Sequence, residues 1–276
     1  MRYLSVLAVA LVAPHAAADT TTWLTTNNGS ASASSAEQEL TSSYTQTTAG
    51  WSTEALARGL GNNGVLGSLS RINFSEIHNW NQPKSVFATS TVTYTNRITF
   101  SSADLAMGAE MRVVIELGLH GENFMFAENW GSARGSADAS LYASVRNPTG
   151  LSDARSLRQA LNSSGSVINE EEGTFIAVVA NGSTIDLTLR LSTSAVLSNS
   201  SLNPTGWVGP GSGSIVSDFG NTGGISGITY ATTGGQAITG SFTALDGDLE
   251  FYTVPSPASG LLLGSGALLA FRRRRG

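Results

Sequence analysis

Ser85-Val86-Phe87-Ala88-Thr89-Ser90-Thr91-Val92-Thr93-Tyr94-Thr95-Asn96-Arg97-Ile98-Thr99-Phe100 is the stretch that decides the fold class. Val86, Ala88, Val92 and Tyr94 share one parity, while Thr89, Thr91, Thr93 and Thr95 occupy the other. A strand built from them has one apolar and one hydroxylated face. Ile98 and Phe100 continue the parity if no bulge intervenes after Asn96, so the run reads as one long strand or a bent one. Similar runs span 110–120, 137–146, 174–180, 183–194, 214–222, 225–230, 237–244 and 249–254. Asn181-Gly182 lies between two of them and predicts a type I′ hairpin. Short strands at this spacing with Gly-rich turns predict an all-β, antiparallel β-sandwich, jelly-roll-like.

One or two short helices are expected. Thr53–Leu60 reads as a short helix stopped by Gly59 or Gly61. Ser152–Leu161 reads as another, with Ser152 as cap and Leu157 and Leu161 one turn apart. Glu170-Glu171-Glu172 reads as a solvated acidic turn. The predicted division is residues 1–18 as a signal peptide, 19–63 as a Ser/Thr-rich, partly flexible segment, 64–253 as the sandwich and 254–276 as a sorting signal; Trp23, Leu24, Leu40, Tyr44 and Trp51, spaced through the second of these, give an irregular leading strand packed on the body as its rival reading.

Composition agrees with strands and turns. Only 13% of the 276 residues are charged, about a quarter are Ser or Thr, and 31 are Gly. Cysteine is absent, which excludes disulfide scaffolds, thiolate metal sites and thiol nucleophiles.

The ends carry their own signals. Met1-Arg2-Tyr3, the apolar run Leu4–Val12 and the small residues Ala16 and Ala18 read as a secretory signal helix cut by signal peptidase after Ala18. At the other end, Val254-Pro255-Ser256-Pro257 precedes an uncharged stretch to Phe271 and then Arg272-Arg273-Arg274-Arg275. As a helix, the fourteen apolar-segment residues cover about 21 Å against a hydrocarbon core of about 30 Å, short for a permanent anchor and suited to a transient membrane contact. The arginines hold the tail on the cytoplasmic side. Five of the 15 basic residues, Arg2 and Arg272–Arg275, lie in these ends, leaving 10 against 20 acidic ones, so the body carries about −10. Lys84 is its only lysine. Such a body lacks a phosphate-neutralising surface, which argues against nucleic-acid binding.

The C-terminal order resembles the signal of the PEP-CTERM family of bacterial exported proteins, a Pro-Glu-Pro motif followed by a hydrophobic helix and a basic cluster. Ser256 stands where that family has Glu. The resemblance implies processing by an exosortase-type enzyme near Pro255 and Pro257 and delivery to the cell surface, envelope or extracellular matrix. More loosely, Asp218–Thr222, Ile228–Tyr230, Gly234-Gly235 and Gly247–Phe251 resemble the closing strands of β-sandwich proteins that carry this signal.

Chemistry-bearing residues are sparse. His15 leaves with the signal, so His78 and His120 are the histidines of the body, and no Gly-x-Ser-x-Gly elbow occurs. Gly59–Gly64 matches a dinucleotide fingerprint by letter but lacks a strand before it and a helix after it, so it reads as a turn. Glu110 and Glu116 share strand parity, with Glu122 and Glu128 beyond, the raw material for a glycosidase pair. Asp246, Asp248 and Glu250 surround Gly247 with carboxylates that calcium accepts. Trp80, Trp130 and Trp207, with Tyr94, Tyr142 and Tyr230, offer stacking faces for sugars. The expectation is a non-enzymatic structural or adhesion protein without a required cofactor. The alternative is a carbohydrate-binding module or glycoside hydrolase acting on extracellular polysaccharide.

Overall fold

The computed structural model describes residues 19–26, 29–34, 37–48, 51–75, 85–131, 133–146, 152–162, 165–199 and 211–252. The signal peptide and the sorting signal lie outside these residues. Thirteen strands occupy the described chain: β1 (Asp19–Thr26), β2 (Gly29–Ser34), β3 (Glu37–Thr48), β4 (Trp51–Asn62), β5 (Val65–Ser75), β6 (Ser85–Ser101), β7 (Glu110–Ala127), β8 (Ala133–Arg146), β9 (Ser152–Leu161), β10 (Gly165–Ala180), β11 (Thr184–Asn199), β12 (Gly213–Thr232) and β13 (Ser241–Ala244). All pairings between them are antiparallel.

The pairing is nested. β8 pairs β9, then β7 pairs β10, β6 pairs β11 and β5 pairs β12, like one long hairpin of eight strands. Cross-pairing of β11 with β8 and of β12 with β7 rolls it into two sheets. One has the order β2-β1-β6-β11-β8-β9, with β13 also on β6, and the other the order β10-β7-β12-β5-β4-β3. Residues of both sheets share each hydrophobic cluster, so the sheets pack face to face.

The pairing overturns two expectations of the sequence reading. The Asn181-Gly182 turn is not a hairpin, because β10 pairs β7 in one sheet while β11 pairs β6 and β8 in the other. Gly182 alone has positive φ there, and Ser183 N–H closes the turn on the Ala180 carbonyl. The two-residue turn with both φ positive is Asn63-Gly64, joining β4 to β5 inside the stretch that imitates a dinucleotide fingerprint. Glu170–Glu172 is no turn but part of β10, paired with Gly118–His120. As β10 ends its sheet, acids there discourage edge-to-edge pairing.

Both expected helices are strands. Residues 53–60 lie in β4 and residues 152–161 in β9, so the described chain contains no helix. Segment 19–63, read as partly flexible, supplies β1–β4, which extend both sheets. The 63/64 division falls inside the β4–β5 hairpin.

A transverse polar layer divides the interior. β5 runs Leu66, Ser68, Ser70, Ile72 inward, β6 runs Ala88, Ser90, Val92, and β11 runs Leu191, Thr193, Ala195, all buried. Thr22, Asn123, Gln159 and Ser217 are buried at the same junction between the two hydrophobic clusters. Three of these hydroxyls satisfy one another, Thr193 lying 2.8 Å from Ser68 and 2.9 Å from Ser70, while Ser90 donates to the Arg58 carbonyl at 2.8 Å and Ser217 to the Asp138 carbonyl at 2.8 Å. A two-residue register slip would place these hydroxyls against Leu or Ile side chains, so the layer fixes the register of strands that apolar burial alone leaves interchangeable.

Candidate functional site

The carboxylates singled out for calcium serve a strap. After β13 the chain crosses one end of the sandwich, tied to the first sheet by Leu245 N–H on Arg97 O and to the second by Tyr252 N–H on Ile225 O. Arg97 grips Asp246 through a 2.6 Å ion pair and donates its backbone N–H to the same carboxylate. Glu250 accepts from the Asn63 side chain at 3.1 Å, and the Asp248 carbonyl accepts from the Tyr94 hydroxyl at 2.8 Å. Among the described residues no group of three or more acids or histidines is close enough to hold a metal ion. The first carboxylate named for calcium, Asp246, is instead occupied by the Arg97 guanidinium.

Hydrogen bonds from Arg97 hold the Asp246 carboxyl below its ordinary pKa. A carboxyl lowered on folding adds stability above its unfolded pKa of about 3.9 and loses it as pH falls through the folded value. The stability advantage of the parent chain over Asp246→Asn is therefore expected in full at pH 7 and pH 5, to decline as pH falls below about 4, and to be gone only below the lowered folded value. Denaturant unfolding across pH measures it; an advantage unchanged at low pH would contradict the pairing.

The β7 glutamates do not converge. Glu110, Glu116 and Glu122 succeed one another every six residues on the outer face, about 20 Å per step. Glycosidase carboxyl pairs stand about 5–9.5 Å apart. Glu116 lies over Gly227 and Glu122 bonds Ser166, so each is held by its neighbouring strand. Glu128 lies just past the end of β7 and is exposed.

The aromatics separate sharply. Tyr94 is fully buried; Tyr230 packs edge-on against Phe100, and burial raises its phenol pKa to about 12. Tyr142 lies under Arg190 at 5.3 Å. Trp80 and Trp207 fall outside the described residues, as do His78, Ala16, Ala18, Val254, Pro255, Pro257, Arg272, Arg273, Arg274 and Arg275. Trp130 is the aromatic that borders a hollow.

That hollow is a cleft of about 470 Å³ at the end of the sandwich opposite the strap, within the usual size of small-molecule sites. It exists because β8 outruns its neighbour. Ala137↔Leu161 is the last β8–β9 pair, so residues 133–136 of β8 keep β11 on one side and have no described strand on the other. Trp130 tilts against Phe74 with ring centroids 6.1 Å apart, capping the smaller hydrophobic cluster. Gly135 makes room for it, since a Cβ there would stand 2.7 Å from the indole. Met125, Ala133 and Gly135 complete the apolar wall, and Arg134, Ser136, Asn162 and Ser198 supply donors and acceptors. Among the described residues Arg134 has no carboxylate partner. The sequence reading named Trp130 but missed Arg134; an arginine between Ala133 and Gly135, just after a Trp-Gly turn, was the available signal.

No protein-family model matches the chain, and no curated protein matches it. Among solved structures, one described as that of the infectious bursal disease virus Gx strain aligns over 93% of this chain and 72% of that chain at 11% identity and a TM-score of 0.17. A likeness that loose carries no argument about function.

Proposed function

We propose that the protein is an exported, surface- or matrix-associated structural or adhesion protein, delivered by its N-terminal signal and sorted by its C-terminal tail after exosortase-type processing. The observation that carries this reading is the order Pro-x-Pro, apolar segment and four arginines after a β-rich body. The body suits a durable extracellular module. Its nested strand order supports the jelly-roll-like form, with β1–β4 widening both sheets. Deleting residues 254–276 is expected to abolish the size change on maturation and divert the body from the surface; unchanged size and location would overturn the proposal.

A second reading, a carbohydrate-binding module, is favoured by the Trp130 cleft. An indole wall beside an arginine, an asparagine and two serines is the mixture of apolar face and polar rim that a pyranose ring needs. The partner under this reading is extracellular polysaccharide.

A further inference from the structure

We infer that the Trp130–Arg134 cleft selects a carboxylate-bearing sugar, a short acidic saccharide bound between the indole and the guanidinium. The inference rests on the carbohydrate-binding reading and narrows it. Trp130 is immobilised from behind by Phe74 and Gly135, so its ring is a fixed wall for the C–H face of a pyranose. Arg134 lies at the end of β8 that β9 leaves uncovered, with no described acid to neutralise it. A planar guanidinium matches a planar carboxylate through two parallel bonds, a fit that a neutral hydroxyl does not reproduce. Ser136, Asn162 and Ser198 line the same cleft with groups of the kind that bind ring hydroxyls.

Length follows from charge. The body carries about −10, which repels an extended polyanion, whereas one uronate at the cleft meets Arg134 within bonding distance. Charges beyond about 10 Å are largely screened at 0.1 M salt. A mono- or disaccharide, or the end of a longer chain, therefore fits better than the middle of a polymer.

The test is calorimetric titration of the full chain in mild detergent with a glucuronate-containing disaccharide and with its neutral glucose counterpart. The acidic sugar is expected to bind at least roughly tenfold more tightly, and Arg134→Gln to erase that difference. Trp130→Ala is expected to weaken both sugars, and Trp23→Ala, which removes an exposed tryptophan of β1, to change neither. Arg134 is exposed, so Arg134→Gln decides the matter even if Trp130→Ala fails to fold. Equal affinity for the two sugars, or indifference to Arg134→Gln, overturns the acidic preference while leaving the carbohydrate reading intact. Absence of binding to either sugar overturns both.

Discussion

Asn181→Ala is expected to cost about 2–4 kcal/mol of unfolding free energy, because several buried backbone groups lose their partner at once. Asn181 is 3% exposed and sits where the β10–β11 turn meets the β6–β7 connection. Its Oδ1 accepts from Ser102 N–H at 2.8 Å, and its Nδ2 donates to the carbonyls of Leu105 at 2.8 Å, Ser102 at 3.0 Å and Ala106 at 3.2 Å. Its own N–H and carbonyl reach Ala109 and Gly108. One side chain thus stands in for the ladder that two stacked crossovers cannot form. Asn181→Asp is expected to be worse than alanine at neutral pH, because an anionic oxygen would face three carbonyls, and to recover partly in acid. Urea unfolding measures both; a loss under about 1 kcal/mol for alanine would contradict this role.

The second large effect is expected at Gly121, where alanine should cost about 2–4 kcal/mol. Gly121 lies on β7 beside the point where β12 shifts register between Asp218 and Gly223. A Cβ there would stand 2.5 Å from the Asp218 carbonyl oxygen and 2.5 Å from the Phe219 ring. The ring is fully buried and the oxygen is backbone, so neither can withdraw cheaply. Gly108→Ala is the contrasting control: no atom lies near its Cβ position, so its cost comes from its positive φ alone. Thermal unfolding of both variants checks the comparison; equal losses would place the cost in the backbone and not in the packing.

These two sites also mark where sequence reading stops. Long alternating runs such as 85–100 were legible because burial follows period 2 without interruption from Val86 to Phe100. β4 was hidden because its inward positions are Ala55, Ala57, Gly59 and Gly61, too small to write a hydrophobic pattern. β9 was hidden differently. Leu157 and Leu161 are four apart, a spacing common to one strand face and one helix turn, and the intervening inward residue is Gln159 of the polar layer. That layer is itself invisible in sequence, since Ser90 and Thr193 resemble any other hydroxyl residues until the nested pairing aligns them. The Asn181-Gly182 signal was real as a turn and misleading as a hairpin, because pairing partners are chosen by the whole rolled ladder and not by the turn.

The candidate site shows the same division. Trp130 was recognisable as an aromatic that sugars use, while its pairing with Arg134 depends on β8 extending past β9, a matter of strand lengths. Asp246, Asp248 and Glu250 looked like a ligand set because their spacing is right for one. The deciding partners, Arg97 and Asn63, are more than a hundred residues away.

Intact-mass and peptide mass spectrometry of the surface-recovered protein decides whether the chain is exported with processing at both ends. The expected form begins at Asp19 and lacks every peptide from the apolar segment and the Arg272–Arg275 cluster. A surface form that retains residues 1–18, or that still ends in the arginine cluster, would contradict it.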